Sequence, residues 1–250
     1  MSQHPWSLSV VLPAYNEAAN LPLSVAATAS ALHGLVRDWE ILIVDDGSVD
    51  ATREVAEQLA AADSRVKVLR HGQNRGYGAA LRTGFRNASK ELVFFTDADN
   101  QFDVTELGGL LPLVSRYDIV AGYRAVRQDP WNRQLNARAW GQLVNALFDL
   151  DIRDVNCAFK LFRRRVLDRV EIRSDGAFVN TEVLARARAA GCTIREVPVR
   201  HFPRTVGEQT GARPRVILRA FAELVRLYGE LRTASAPEPA PSAEALPRLS

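Results

Sequence analysis

The residues best suited to chemistry lie in one stretch, Phe95-Thr96-Asp97-Ala98-Asp99-Asn100-Gln101. It closes a short apolar run, Glu91-Leu-Val-Phe-Phe95, that reads as a buried strand. Asp97 and Asp99 stand two apart, so in an extended backbone both carboxylates leave on the same side. Two hard anionic ligands, with the Gln101 amide carbonyl next along, suit a small hard divalent cation such as Mg²⁺ or Mn²⁺. An ion bound through so few protein ligands keeps positions open for phosphate oxygens. The implied chemistry is the holding of a nucleoside diphosphate at a strand end. The competing explanation is ordinary turn capping, since Asp and Asn often cap backbone groups where a strand ends. Only the surrounding chain separates the two.

The elements that must position these residues alternate. Ser7–Leu12 is a strand pattern running into the loop Pro13-Ala-Tyr15-Asn-Glu17, and a helix is expected from about Ala18 to Leu35. Trp39–Val44 is a second strand, apolar throughout its centre, that opens into Asp45-Asp46-Gly47-Ser48. Ser48 or Asp50 can cap the helix expected over 51–62. A third strand over 65–69, a Gly-containing loop and a helix over 79–88 lead to the acidic stretch. This β-α-β-α-β-α-β order predicts an α/β unit with a mainly parallel sheet. The polar loops at Tyr15, Asp45 and Asp97 all follow strand C-termini, which is the edge where open α/β sheets bind ligands. Three such loops on one edge favour the binding explanation over capping.

Gly76-Tyr77-Gly78 is not a dinucleotide fingerprint, because Leu81 holds the third glycine position and the loop follows the third strand, not the first. A tight helix entry and a substrate contact both fit these glycines. Downstream, the sequence predicts a helix over 104–116, a strand over 118–122 and a basic loop and helix over 125–150. A strand carrying Lys160, helices over 163–170 and 181–190, and a last strand over 193–199 follow. From Pro214 to about Arg232 an apolar stripe of Ile217, Phe221, Leu224, Tyr228 and Leu231 is flanked by arginines. It fits a helix packed on the domain, and it also fits a helix resting in a membrane interface with arginines on anionic headgroups.

At 250 residues, 47% hydrophobic and 24% charged, the chain has the composition of an ordinary globular protein with a net charge of +3. Lys67, Lys90 and Lys160 are its only lysines, so nearly all its positive charge is arginine. No run is long and apolar enough to span a bilayer, and no signal peptide is evident. Cys157 and Cys192 are isolated, with neither metal-ligand spacing nor a disulfide framework, which fits a reducing cytoplasm.

Together, Val11-Leu-Pro-Ala-Tyr-Asn-Glu17, Val44-Asp-Asp-Gly-Ser48, Asn74-Arg-Gly-Tyr-Gly78, Asp97-Ala-Asp99-Asn-Gln101, Gly122-Tyr-Arg124 and the loop from Arg204 to Gly207 carry a family resemblance. They resemble the inverting family 2 glycosyltransferases of GT-A fold, and within them the dolichyl- and polyprenyl-phosphate mannose synthase group. The resemblance implies that Pro13, Tyr15, Glu17 and Asp45, with the adjoining Asp46, hold the base and ribose of a nucleotide sugar. Asp97 would sit near ribose and pyrophosphate, Asp99 and Gln101 would ligate the metal, and Arg204 would reach the donor phosphates. Arg124 and Arg133, with Arg138 as a third, would bind a polyprenyl or dolichyl phosphate acceptor. Cys157-Ala-Phe159 is similar to the form found in the glucosyl-phosphate branch, and Gln209-Thr210 replaces a common Ser-Lys, so mannose and glucose, and GDP and UDP, all stay open.

The chain is expected to divide into a GT-A domain over 1–211, an amphipathic helix over 212–232 and a disordered tail over 233–250. The expected location is cytoplasmic and peripheral at the inner membrane face, or on a membrane partner subunit. A phosphate acceptor needs cationic positioning and no general base, because it is already largely dianionic at neutral pH. A family 2 enzyme with a saccharide or small hydroxyl acceptor is the alternative, with Asp154 a candidate base. An arginine-rich scaffold or nucleic-acid binder is a third possibility, but no basic helix or aromatic-basic motif supports nucleic acid.

Overall fold

The computed structural model describes residues 3–125, 131–203 and 214–234; for 131–133, 214–217 and 234 it describes only the backbone. Strands β1 (His4–Ala14), β2 (Val36–Asp45), β3 (Val66–Arg70), β4 (Leu92–Thr96), β5 (Ile119–Arg124), β6 (Phe159–Arg163) and β7 (Ile194–Val199) form one sheet among these residues. Their order is β3-β2-β1-β4-β6-β5-β7. β6 runs antiparallel to both of its neighbours, while every other pairing is parallel. This is the mainly parallel α/β sheet that the element order predicts.

Its central strands are apolar on both faces because both faces are covered. In β1, Val11 points into one core with Leu42, Val44, Val93 and Phe95. Leu8, Val10 and Leu12 point into the other, with Ile41, Ile43 and Phe94. Helices α1 (Leu21–Leu35) and α2 (Thr52–Ala62) cover the second face. Helices α3 (Tyr77–Asn87), α5 (Trp131–Phe148), α6 (Arg164–Arg169), α7 (Val179–Ala189) and α8 (Pro214–Ala234) contribute to the first.

The single helix predicted over 104–116 is broken. A 3-10 turn, Val104–Glu106, leads into α4 (Leu107–Leu110), and a second, Leu111–Ser115, follows. Gly108 and Gly109 weaken α-helix there, and Pro112 removes a backbone donor.

α8 lays Leu224 and Leu227 into the core, and its Phe221 and Tyr228 meet Trp140 and Phe148 edge-on at 5.3 and 6.3 Å. Glu230 anchors the far end on Arg186 at 2.6 Å. The other side of this helix exposes Leu218 and Val225, each 71% accessible. No helix among the described residues is long and apolar enough to cross a membrane.

Candidate active site

The chain winds from β1 outward to β2 and β3, then returns to lay β4 on the opposite side of β1. The loops after β1 and β4 therefore part from each other and leave a crevice at the carboxyl edge of the sheet. Because β6 is reversed, the turn that enters it lies at this edge too, beside the ends of β5 and β7. The candidate residues come from these loops.

On the β1 side, Pro13 is buried opposite Val44, and Ala14 lies opposite Asp45. Tyr15 is 43% exposed at the rim. Asn16 adopts a left-handed backbone (φ 57°), which turns the loop so that Glu17 is buried. This loop is knitted to the one after β2. Asn16 accepts from the Val49 amide at 2.9 Å, and the Asn16 amide donates to Ser48 Oγ at 3.0 Å. The Glu17 amide donates to Thr52 Oγ1 at 2.8 Å, and Asn20 donates to the Glu17 carboxylate at 2.6 Å. Asp45 is buried and accepts the Ser48 amide at 2.9 Å. Pro13, Tyr15, Glu17 and Asp45 thus line one rim.

Asp46, expected beside Asp45 on the donor, is tied into the loop after β3. Its buried carboxylate meets His71 Nδ1 at 2.6 Å and accepts the amides of Arg75 and Gly76 at 2.9 and 2.8 Å. Both oxygens serve the loop after β3, and His71 is held in turn by Thr83 at 2.9 Å. Asp46 therefore shapes the wall of the crevice.

The acidic stretch is a turn, so the extended-chain argument for its geometry does not apply. β4 ends at Thr96, and Asn100 takes a left-handed conformation (φ 59°) that folds Gln101 back, its amide donating to Asp99 Oδ1 at 3.2 Å. Asn100 also donates to the Asn20 carbonyl at 3.1 Å, tying this turn to the β1 loop. Gln101 Nε2 donates to the Phe202 carbonyl at 3.0 Å. Asp97 is half-buried and Asp99 buried. Burial, and then the charge of Asp99, push the Asp97 carboxyl up to about 7, with Glu17 adding to the effect and Tyr77 and Lys160 opposing it. Two carboxylates and an amide side chain this close together are groups that could hold a hard divalent cation.

Across the crevice, β5 delivers Arg124 two strand spacings, roughly 10 Å, from the end of β4. Its guanidinium grips Asp154 through two bonds, Nε to Oδ2 at 2.7 Å and a terminal nitrogen to Oδ1 at 2.9 Å. Asp154 is itself buried, with its amide donating to Glu196 at 3.2 Å. Arg124 thus engages both oxygens of the Asp154 carboxylate. Arg138 is exposed on α5. The Arg133 side chain and all of Arg204 lie outside the described residues.

Gly76 and Gly78 owe their identity to packing. A Cβ on Gly76 (φ 104°) would lie 2.3 Å from the Asp175 carbonyl, and one on Gly78 would lie 2.4 Å from that of Ser174. The start of α3 thus presses directly on the 174–176 loop, with the Gly78 amide donating to the Asp175 carbonyl at 2.8 Å. Sequence reasoning gave no site role to three residues near the acidic turn: Tyr77, which donates to Asp97 Oδ1 at 2.8 Å, Asn180, and Lys160, which donates to Asn180 Oδ1 at 3.2 Å. For Lys160 a signal existed, since a lysine inside the apolar run Phe159–Phe162 must find buried acceptors. Asn180 carried none.

The sequence matches the family described as Glycosyl transferase family 2 over residues 9–171. It is 32% identical over 234 residues to glycosyltransferase AglD of Haloferax volcanii, covering 90% of this chain and 37% of that protein. It is 31% identical over 228 residues to an undecaprenyl-phosphate 4-deoxy-4-formamido-L-arabinose transferase of Salmonella choleraesuis, covering 90% of this chain and 66% of that one. The chain therefore spans less than two thirds of either relative's length. Among solved structures it is similar to glucosyl-3-phosphoglycerate synthase from Mycobacterium tuberculosis in complex with Mn²⁺, UDP and glucosyl-3-phosphoglycerate. That likeness has a TM-score of 0.69 at 20% identity and covers 90% of this chain and 80% of the other. The sheet and its helices are the GT-A fold.

Proposed function

Because the chain belongs to glycosyl transferase family 2, we propose that it moves a hexose, mannose or glucose, from a nucleotide sugar to a polyprenyl or dolichyl phosphate, with inversion. The observation that carries this reading is the pairing of a crowded acidic turn with a carboxylate-ordered arginine across one crevice. The undecaprenyl-phosphate transferase among the relatives supports the acceptor class.

In this reading Pro13, Tyr15, Glu17 and Asp45 hold the base and ribose, and Asp97 holds the ribose and pyrophosphate end. Asp99 and Gln101, with Asp97, would hold Mg²⁺ or Mn²⁺, the kind of ion that accompanies UDP in the synthase of the same fold. Such an ion offsets the negative charge that grows on the departing diphosphate. Arg124, ordered by Asp154, places the acceptor phosphate on the opposite face of the sugar, with Arg133 and Arg138 as further cations and Arg204 on the donor phosphates. A phosphate oxygen attacks C1 as the C1–O bond to the diphosphate breaks. The acceptor is already ionised at neutral pH, its second pKa being about 6, so the engagement of Asp154 by Arg124 costs the reaction nothing.

The outer face of α8, with Leu218 and Val225 exposed beside Arg219 and Arg226, meets the membrane that carries the lipid or a membrane partner subunit. In this reading the chain works at the cytoplasmic membrane surface, with the helix packed against the catalytic unit.

The test is incubation with radiolabelled GDP-mannose or UDP-glucose, Mn²⁺ and detergent-solubilised polyprenyl phosphate. Label recovered in the organic phase, and lost when chelator is in excess, is expected. Label only in water-soluble product would transfer the reading to a saccharide or small hydroxyl acceptor.

A further inference from the structure

Three neighbouring strands set Lys160 of β6, Ala121 of β5 and Glu196 of β7 directly opposite one another, so all three side chains leave on one face of the sheet. Ala121 is a single methyl group between two charges, and the turn over residues 153–157 bonds to both of them. Lys160 is fully buried (0% exposed). It donates to the Val155 carbonyl at 2.9 Å, to the Cys157 carbonyl in a short contact and to Asn180 Oδ1 at 3.2 Å, which uses its three protons. Glu196, half-buried, works from the other side. Its two carboxylate oxygens accept the amides of Arg153 at 2.8 Å and of Asp154 at 3.2 Å. The turn also closes on itself, the Cys157 amide donating to the Asp154 carbonyl at 3.1 Å. A cation thus takes carbonyls of the turn, and an anion takes its amides. Between these two holds the turn presents Asp154, whose oxygens accept Nε and a terminal nitrogen of Arg124 at 2.7 and 2.9 Å.

We propose that Lys160 and Glu196 clamp the 153–157 turn from its two sides and so set Asp154, and through it Arg124, for the acceptor phosphate. The inference deepens the functional reading above and rests on it. An arginine oriented by a carboxylate on a turn is only as well placed as that turn. Here the backbone groups of the turn are fixed to side chains of two strands, which lends it the rigidity of the sheet. The sheet alone does not call for a lysine at position 160. A buried ammonium is costly to desolvate, and an apolar side chain of similar length would pack there without that cost. The carbonyls of the turn are what give the charge a use. Neither residue needs to touch the phosphate: both are positioning residues that act through Asp154 and Arg124. None of these bonds reaches the loops after β1 and β4, so the clamp serves the acceptor half of the crevice.

The test sets acceptor KM, measured with detergent-solubilised polyprenyl phosphate, against the affinity for Mn²⁺ with UDP or GDP by calorimetry. Glu196→Gln turns an NH₂ group toward a backbone amide that needs an acceptor. It should raise acceptor KM about ten-fold, the scale of one hydrogen bond to a charged group. Nucleotide affinity should stay at the wild-type value. Lys160→Met, where it folds, should behave in the same way, and Glu196→Gln decides the matter where it does not. Arg124→Ala should raise acceptor KM by itself, and adding Glu196→Gln to it should bring no further rise, since both act along one route. An unchanged acceptor KM in Glu196→Gln, with a raised one in Arg124→Ala, would overturn the clamp alone. Equal losses of acceptor and nucleotide affinity would also overturn it, as the mark of a general loosening. A wild type that transfers no sugar to polyprenyl phosphate would overturn the functional reading and the clamp together.

Discussion

Asp97 and Asp99 crowd two carboxylates into one turn, and their costs and uses differ. Asp99, buried with Gln101 folded over it, is the residue whose charge the proposed chemistry needs most. Asp99→Asn should lower turnover by roughly a hundred-fold or more, the scale seen when one preorganised electrostatic contact is lost. Its circular dichroism should be unchanged, and near-normal turnover would remove the metal role. For Asp97 the sign runs the other way in metal-free protein. Its carboxyl is raised from 3.8 to about 7 by burial and by Asp99, so the fold prefers the proton. The stability this gives is complete below 3.8 and is lost as pH rises through about 7. In excess chelator, Asp97→Asn should therefore melt above wild type in mildly alkaline buffer, with the gap closing as the pH is lowered toward 4. A wild type that is equally stable under those alkaline conditions would show that the site carries no such strain.

Two elements carry more than their sequence announces. The first turn of α3 touches the 174–176 loop backbone to backbone, so Gly78→Ala must move one of them. It should cost about 1–3 kcal/mol in urea unfolding, as overpacking does, and it should displace Tyr77 as well. A neutral substitution would mean that the loop yields freely. In α8, deleting the whole helix would strip Leu224 and Leu227 from the core, so truncation cannot isolate a membrane role. Leu218→Glu with Val225→Glu leaves the buried face intact. This pair should reduce binding to anionic phospholipid vesicles at constant melting temperature, and unchanged partitioning would return that face to ordinary surface.

The strands of the parallel half, and the rim on which Tyr15, Asp45 and Asp97 stand, were legible because apolar runs ending in polar loops have one simple meaning. The turn at Asn100, the work of Asp46 and the bond from Lys160 to Asn180 were not legible. Each depends on a partner from a distant element or on one left-handed residue, and no periodicity encodes either.

At the scale of the molecule the sheet has two ends with opposite electrostatics. At the end away from the crevice, Glu40 is buried among Ser9, Lys67 and Ser89; burial alone would raise it, but these bonds win and hold it at about 2. Asp118 is likewise held at about 2 against burial by Thr193 and Arg165. Both give stability that is present above their ordinary values of 4.5 and 3.8 and is lost as pH falls through about 2. Glu40→Gln combined with Asp118→Asn should lower stability at neutral pH and flatten its dependence between about 4.5 and about 2. An acid limb as steep as wild type's would place acid sensitivity elsewhere.

This division separates what keeps the chain folded from what it acts upon. In the proposed function, substitutions in the loops after β1, β4 and β5 would retune which sugar is accepted while the bolts at the opposite end stay fastened. A scaffold arranged in this way can be re-specified piecemeal by changing its rim, without being rebuilt.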